Sequence, residues 1–240
     1  MSELINLSPN TQRIVFADAN VLYSRVLRDY LLYAAIRQLI TVAWSKKVLD
    51  EVERNLLAKN PSFTVESAKL LIEKMTDAFP YAEIDPDPEH YEQLLQINLP
   101  DEDDRHVLAA AIAAEAEIIC TSNTKDFPAS IASELGMKVM SPDELLSWLT
   151  NKNSESMLDV HNTVVTSYQG SSDVDTLEAL KRAGATNTAD LLRELNKKLS
   201  INAILQAQQE FSGVAHQSGN PSEEGIQTWV DDVRYKDEAK

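Results

Sequence analysis

Two short apolar runs that each stop abruptly at polar residues constrain this chain more than any other feature. Arg13–Ala17 (RIVFA) ends at Asp18, and Glu117–Thr121 (EIICT) ends at Ser-Asn-Thr-Lys-Asp. Runs of this length, rich in β-branched and apolar residues and bounded by polar ones, read as buried strands. Between them the pattern is helical. An apolar-periodic stretch begins at about Val21 and carries Leu22, Val26, Tyr30 and Tyr33 on one face. A second helix, N-capped by Ser45, runs through Val48, Val52 and Leu56 and stops at Asn60-Pro61, and a third fits Val65–Ala78. Tyr81–Ile84 predicts a strand before the turn-rich Asp85–Pro88. Asp101–Asp104 opens an alanine-rich helix to Ala116. Lys138–Met140 is a last short strand, followed by a helix with Ser141 as N-cap and Pro142 in its first position. Strands separated by helices predict an α/β fold with a parallel sheet flanked by helices.

Past Thr150 the strand-like runs cease and the sequence turns polar. A chain of 240 residues suits one main domain with an appendage. The expected division is therefore a domain over 1–150, a helical C-terminal extension over 151–211, and a flexible tail over 212–240 whose main apolar residues are Trp229 and Val230. The extension predicts one helix around Val174–Arg182, ended by Gly184, and another from Thr188 toward Gln209. Leu177, Leu180, Leu191, Leu192, Leu195 and Leu199 recur at helical spacing and require a surface to pack on.

Charge and cysteine content narrow the chemistry. With 38 acidic against 22 basic residues, a net charge of −16 opposes non-specific attraction to nucleic acid. A divalent cation held by carboxylates reverses that sign locally. Cys120 is the single cysteine, so an intramolecular disulfide is impossible and a thiolate zinc site lacks ligands. No apolar run approaches a membrane span and the start shows no signal-peptide pattern, so a cytoplasmic protein is expected.

The candidate chemistry lies in four acidic segments. Asp18 stands at a strand's carboxyl end, where open α/β sheets gather functional groups, although a strand-end aspartate also serves as a simple helix cap. Glu51 lies on the second helix; alone, it reads as a solvated charge. Asp101, Glu102, Asp103 and Asp104 crowd one helix start, more acids than a single cap requires. Asn123 and Asp126 follow the second strand in T-S-N-T-K-D-F-P. Oxygen donors of this kind suit Mg²⁺ or Mn²⁺ rather than zinc.

The segments D-A-N-V-L-Y-S, S-K-K-V-L-D-E-V, D-D-R-H-V-L-A-A-A and T-S-N-T-K-D-F-P, in this order over about residues 13–150, resemble the successive signatures of the PIN-domain family. The resemblance implies a PIN-like parallel sheet and a metal-dependent nuclease. It assigns Asp18, Glu51 and Asp104 as catalytic metal ligands. The fourth place falls to Asp126 or Asn123, the family often having an acid where this chain has Asn123. Asn20, Asp103, Thr121, Ser122 and Asn123 would support the ligands, with Asp103 a substitute for Asp104. Lys46, Lys47, Arg54, Arg105 and Lys125, with Tyr23, are candidates for holding an RNA backbone, each also readable as an ordinary surface residue. His106 reads as packing or as support behind the acids, and Cys120 as a core residue. Within the family the chain looks like the toxins of VapC-type toxin–antitoxin pairs. That likeness implies endoribonuclease cleavage of a defined RNA, often a transfer RNA, silenced by a small, DNA-binding antitoxin, and leaves a homodimer open.

Rival readings are weaker. Dehalogenase-type phosphatases require D-x-D, and here the second place is Asn20. P-loop and dinucleotide motifs are absent from a chain with only 6 glycines. A PIN module that binds RNA or a protein partner with little catalysis, and a nuclease acting on DNA, both remain open.

Overall fold

A computed structural model of the chain describes residues 12–217. Its centre is a four-stranded, wholly parallel sheet in the order β2-β1-β3-β4. The strands are β1 (Arg13–Ala17), β2 (Ile40–Ala43), β3 (Ile118–Cys120) and β4 (Lys138–Met140). Val15, Phe16, Ala17, Ile119 and Cys120 are fully buried because helices cover both faces, which is why these strands read as unbroken apolar runs. Strand β2 escaped the sequence reading. Its residues continue the apolar pattern of the preceding helix, and the chain reverses on Gln38 in the left-handed region (φ 59°), with no Gly or Pro to mark the turn.

The first helical stretch is two helices, α1 (Ala19–Tyr23) and α2 (Arg25–Ile36), because Ser24 is extended. The break is satisfied locally: the buried Arg28 guanidinium donates to the Leu22 carbonyl at 2.9 Å. Helix α3 (Lys46–Lys59) starts where Ser45 caps the Val48 amide, as expected, and α4 (Val65–Ala78) follows with Thr64 as cap. The strand expected at Tyr81–Ile84 reduces to one bridge, Trp44 with Glu83, closed by Trp44 N to Ala82 O (2.9 Å) and Ile84 N to Trp44 O (2.8 Å). After α5 (Pro88–Glu92), the acidic segment forms a 3₁₀ turn (Glu102–Asp104) that leads into α6 (Arg105–Ala113). Helix α6 ends before Ala116 because Glu115 turns left-handed (φ 51°) and the Ala116 amide closes on the Ala111 carbonyl. Its Ala109, Ala110 and Ala111 are fully buried, so small side chains do let it approach closely.

The remaining helices are α7 (Ala129–Glu134), α8 (Pro142–Lys152), α9 (Ser154–Ser167), α10 (Asp173–Arg182) and α11 (Thr186–Gln217). Two compact units divide at Arg193 and Glu194, within α11 and not at Thr150. In the first unit α9 packs on α2 and α8, and α10 packs on α2 and α9. His161 of α9, fully buried, ties three helices together. Its Nδ1 meets the Tyr30 hydroxyl of α2, and its Nε2 lies 2.6 Å from Asp173 Oδ1 of α10. Leu177, Leu180 and Leu192 are buried as their spacing required, and Asp143 of α8 caps the start of α11 through the Asn187 and Thr188 amides. In the second unit Leu199, Ile201, Ile204 and Leu205 are exposed on α11. That helix continues to Gln217, into the segment expected to be a tail; Trp229 and Val230 lie outside the described residues. Among the described residues no helix is long and apolar enough to cross a membrane.

Candidate active site

The sheet order makes the site. The chain leaves β1 for β2 on one side while β3 occupies the other, so β1 and β3 meet at the point where the winding reverses, the position at which parallel sheets open a crevice at their carboxyl ends. Ala17 is in register with Cys120, and the Asp18 amide donates to the Cys120 carbonyl at 3.0 Å. Two strand ends about a hundred residues apart in sequence thereby become neighbours.

Asp18 is only 6% exposed and its carboxylate is tightly held. Oδ1 accepts from the Ala19 amide (2.6 Å), so the simple capping role is real, while Oδ2 accepts from Thr121 Oγ1 (2.7 Å) and from the Asn20 amide. Asn20 also donates to Thr121 Oγ1 (3.0 Å), and its own oxygen accepts from the Ser122 amide (2.8 Å). The Asn123 amide reaches Thr121 Oγ1 at 3.0 Å. Burial raises the Asp18 pKa above the usual carboxylate value; the Thr121 hydroxyl opposes that rise and the Glu51 charge adds to it.

Glu51, on α3, takes a hydrogen bond from His106 Nε2 at 3.1 Å, with Arg54 at 3.5 Å. The His106 bond is the main reason its pKa falls below the ordinary value. Asp104 caps nothing with its side chain; the capping of the acidic turn is done by Asp101, whose carboxylate accepts the Asp103 amide at 2.9 Å. Partial burial, then the negative charges of Asp18, Asp126 and Asp101, push Asp104 up to about 6. Asp126 accepts from the Asn123 side-chain amide, so the two residues that competed for one place are bonded to each other. Asp103 is exposed on the turn.

Electrostatically the four acids form one group: Asp18 feels Glu51, and Asp104 feels Asp18 and Asp126. Their donor atoms are all oxygen, and their charges repel, which fits a hard divalent cation. Among the described residues no three His, Cys, Asp or Glu side chains stand close enough to grip an ion as they are placed.

The basic candidates separate. Lys47 and Arg54 both bear on Glu51 and are exposed. Lys46 pairs with Asp50 (3.6 Å), and Lys125 is exposed beside Asp126 in sequence. Arg105 is committed elsewhere. Its guanidinium holds Glu102 in three bonds and the Leu94 and Ile97 carbonyls, pinning the loop before the acidic turn to α6 and leaving it little capacity for RNA. Tyr23 lies under Lys59, 5.2 Å from ring centre to Nζ. Cys120 is fully buried and burial drives its thiol pKa upward, as suits a core residue. Two contributions were not individually foreseen: Asp101 as cap and the His106–Glu51 bond. The excess of acids in the turn and a histidine two residues past Asp104 were their only signals.

Residues 13–125 match the family model described as PIN domain. A 43-residue stretch is 46% identical to the Mycobacterium tuberculosis (strain ATCC 25618 / H37Rv) protein named "Putative ribonuclease VapC50", covering 18% of this chain and 25% of that relative. The chain thus matches about a quarter of that relative's length. No solved structure matches the chain. With the parallel sheet and the acids at its winding reversal, these matches liken residues 13–125 to a PIN domain and the matched stretch to a VapC-type ribonuclease.

Proposed function

We propose that this chain is a Mg²⁺- or Mn²⁺-dependent endoribonuclease and the toxin of a type II toxin–antitoxin pair. The observation that carries the reading is the buried Asp18 carboxylate at the paired ends of β1 and β3, with the Glu51 charge bearing on Asp18 and the Asp18 and Asp126 charges bearing on Asp104. Asp18, Glu51, Asp104 and Asp126 would hold the cation, which when bound activates a water and neutralises charge on a phosphodiester. Thr121, Asn20 and the Ala19 amide fix the Asp18 carboxylate, and Asn123 fixes that of Asp126. Lys47 and Arg54, beside Glu51, supply positive charge for the RNA backbone, and Lys46 and Lys125 extend it. Water would attack phosphorus in line as the P–O3′ bond breaks, with the 3′-oxygen taking up a proton, so that the products carry 5′-phosphate and 3′-hydroxyl ends and no residue serves as nucleophile. A small DNA-binding antitoxin encoded beside the gene silences the activity.

The test is cleavage of a labelled RNA by purified protein with Mn²⁺, with EDTA, and after Asp18→Asn or Asp104→Asn. Metal-dependent cutting lost in both variants supports the proposal; cutting that survives either variant overturns it. A second reading, a PIN module that binds RNA or protein without efficient catalysis, is favoured by the net charge of −16 and the unclosed ligand set. It predicts RNA retention with no cleavage in the same assay.

A further inference from the structure

The chemistry above gives His106 no task, yet the residue is built into the cleft. It is the second residue of α6, two past Asp104, and is 4% exposed. Its Nε2 lies 3.1 Å from Glu51 Oε1, whereas its buried Nδ1 has no hydrogen-bond partner among the described residues. The partnered nitrogen therefore carries the hydrogen, since an orphaned buried N–H costs more than an orphaned lone pair.

The other acids show why such a bond matters. Asp18 is held by Thr121, Asn20 and the Ala19 amide, and Asp126 by Asn123. Glu51 has a longer side chain, with more rotamers to lose on being fixed. The cations that bear on it hold it loosely: Arg54 is mostly exposed and stands 3.5 Å away, and Lys47 is exposed. Ligands left to rotate bind cations weakly, and the groups that orient them are worth roughly 10–100-fold in affinity.

We propose that His106 is a positioning residue that, through Nε2–H, fixes the Glu51 carboxylate toward the cleft and locks α3 to α6, the helix that opens directly after Asp104. The proposal rests on the reading of Glu51 as a cation ligand.

Gln and Asn discriminate the two ring nitrogens. Gln places an amide N–H near the Nε2 position, and Asn places one near Nδ1. Mn²⁺ binding would be measured by counting free ion with electron paramagnetic resonance, on the full-length protein, alongside urea stability and RNA cleavage. His106→Asn and His106→Leu are expected to weaken Mn²⁺ binding by about 10–100-fold, and His106→Gln to recover most of it. In a Glu51→Gln background His106→Leu should cost less than twofold, because its target is gone. Equal losses in both backgrounds, or unchanged Mn²⁺ binding in His106→Asn, would overturn the role while Asp104→Asn still abolished binding and left the metal reading intact. A wild-type protein that binds no Mn²⁺ overturns both.

Discussion

Replacing Asp104 by Asn should stabilise the metal-free protein while abolishing cleavage. In the absence of a cation, partial burial and then the like charges of Asp18, Asp126 and Asp101 raise the Asp104 pKa from 3.8 to about 6. At full effect that rise corresponds to about 3 kcal/mol against the fold. Asp104 is substantially solvated, so screening reduces it to about 1 kcal/mol. The sign follows from the direction of the shift. Below about pH 4 the carboxyl is protonated in both states and costs nothing. Between about pH 4 and 6 the unfolded chain loses its proton first and the fold loses stability, and the loss is complete above about pH 6. Asn removes this cost and forfeits no cap, since the Asp104 side chain caps nothing. Thermal melts in EDTA should therefore show Asp104→Asn about 2–4 °C above wild type at pH 7, a gap that closes by pH 4. Saturating Mn²⁺ should reverse the order, adding about 2.7 kcal/mol to wild type at a hundred times the dissociation constant and little to the variant. A variant no more stable than wild type at pH 7, or a gap constant from pH 4 to 7, would refute the argument.

Asp126→Asn should cost more cleavage than Asn123→Ala, because the first removes a charge and the second only the amide that steadies it; RNA cleavage rates at limiting Mn²⁺ decide, and the reverse order would hand the role to Asn123. His161→Leu should lower stability by about 1–3 kcal/mol in urea denaturation, since the buried Tyr30 hydroxyl loses its partner; no loss would mean the bridge contributes nothing. Truncation after Thr150 should unfold or aggregate the protein. It removes the buried Met157, Leu158, Val160 and Val164 of α9 from the first unit, on the order of 6 kcal/mol of burial in a fold whose total is about 5–15 kcal/mol. A soluble 1–150 fragment with a cooperative melt would show that α9 is dispensable.

What the sequence disclosed depended on whether a signal was local. Strands β1 and β3 were legible because they are buried on both faces and end at polar residues, and the Ser45 and Ser141 caps because each is written within four residues. Strand β2 was missed since Leu39–Trp44 follows a helix already apolar on one face, and alternation is too short there to separate the two. The boundary placed at Thr150 marked a change in composition. Packing follows a different rule: Asn153 ends α8 and starts α9, and the apolar face of α9 turns back onto α2.

Glu51 shows the deeper limit. On its helix it is an acid among Lys46, Lys47, Asp50, Glu53 and Arg54, and nothing in that spacing distinguishes it from a solvated charge. Its distinction comes from His106, fifty-five residues later, and that distance closes only because α6 follows the acidic turn at the edge of the crevice while α3 packs beside α1. Asp18 is different, since its partners Ala19 and Asn20 are adjacent and Thr121 follows directly from the strand registered with its own. A pattern reader therefore finds Asp18 from the strand and needs the family likeness to find Glu51. The same logic explains Asn123 and Asp126: sequence presents them as alternatives for one position, whereas a turn in which the Asp126 amide closes on the Asn123 carbonyl brings them together, amide to carboxylate.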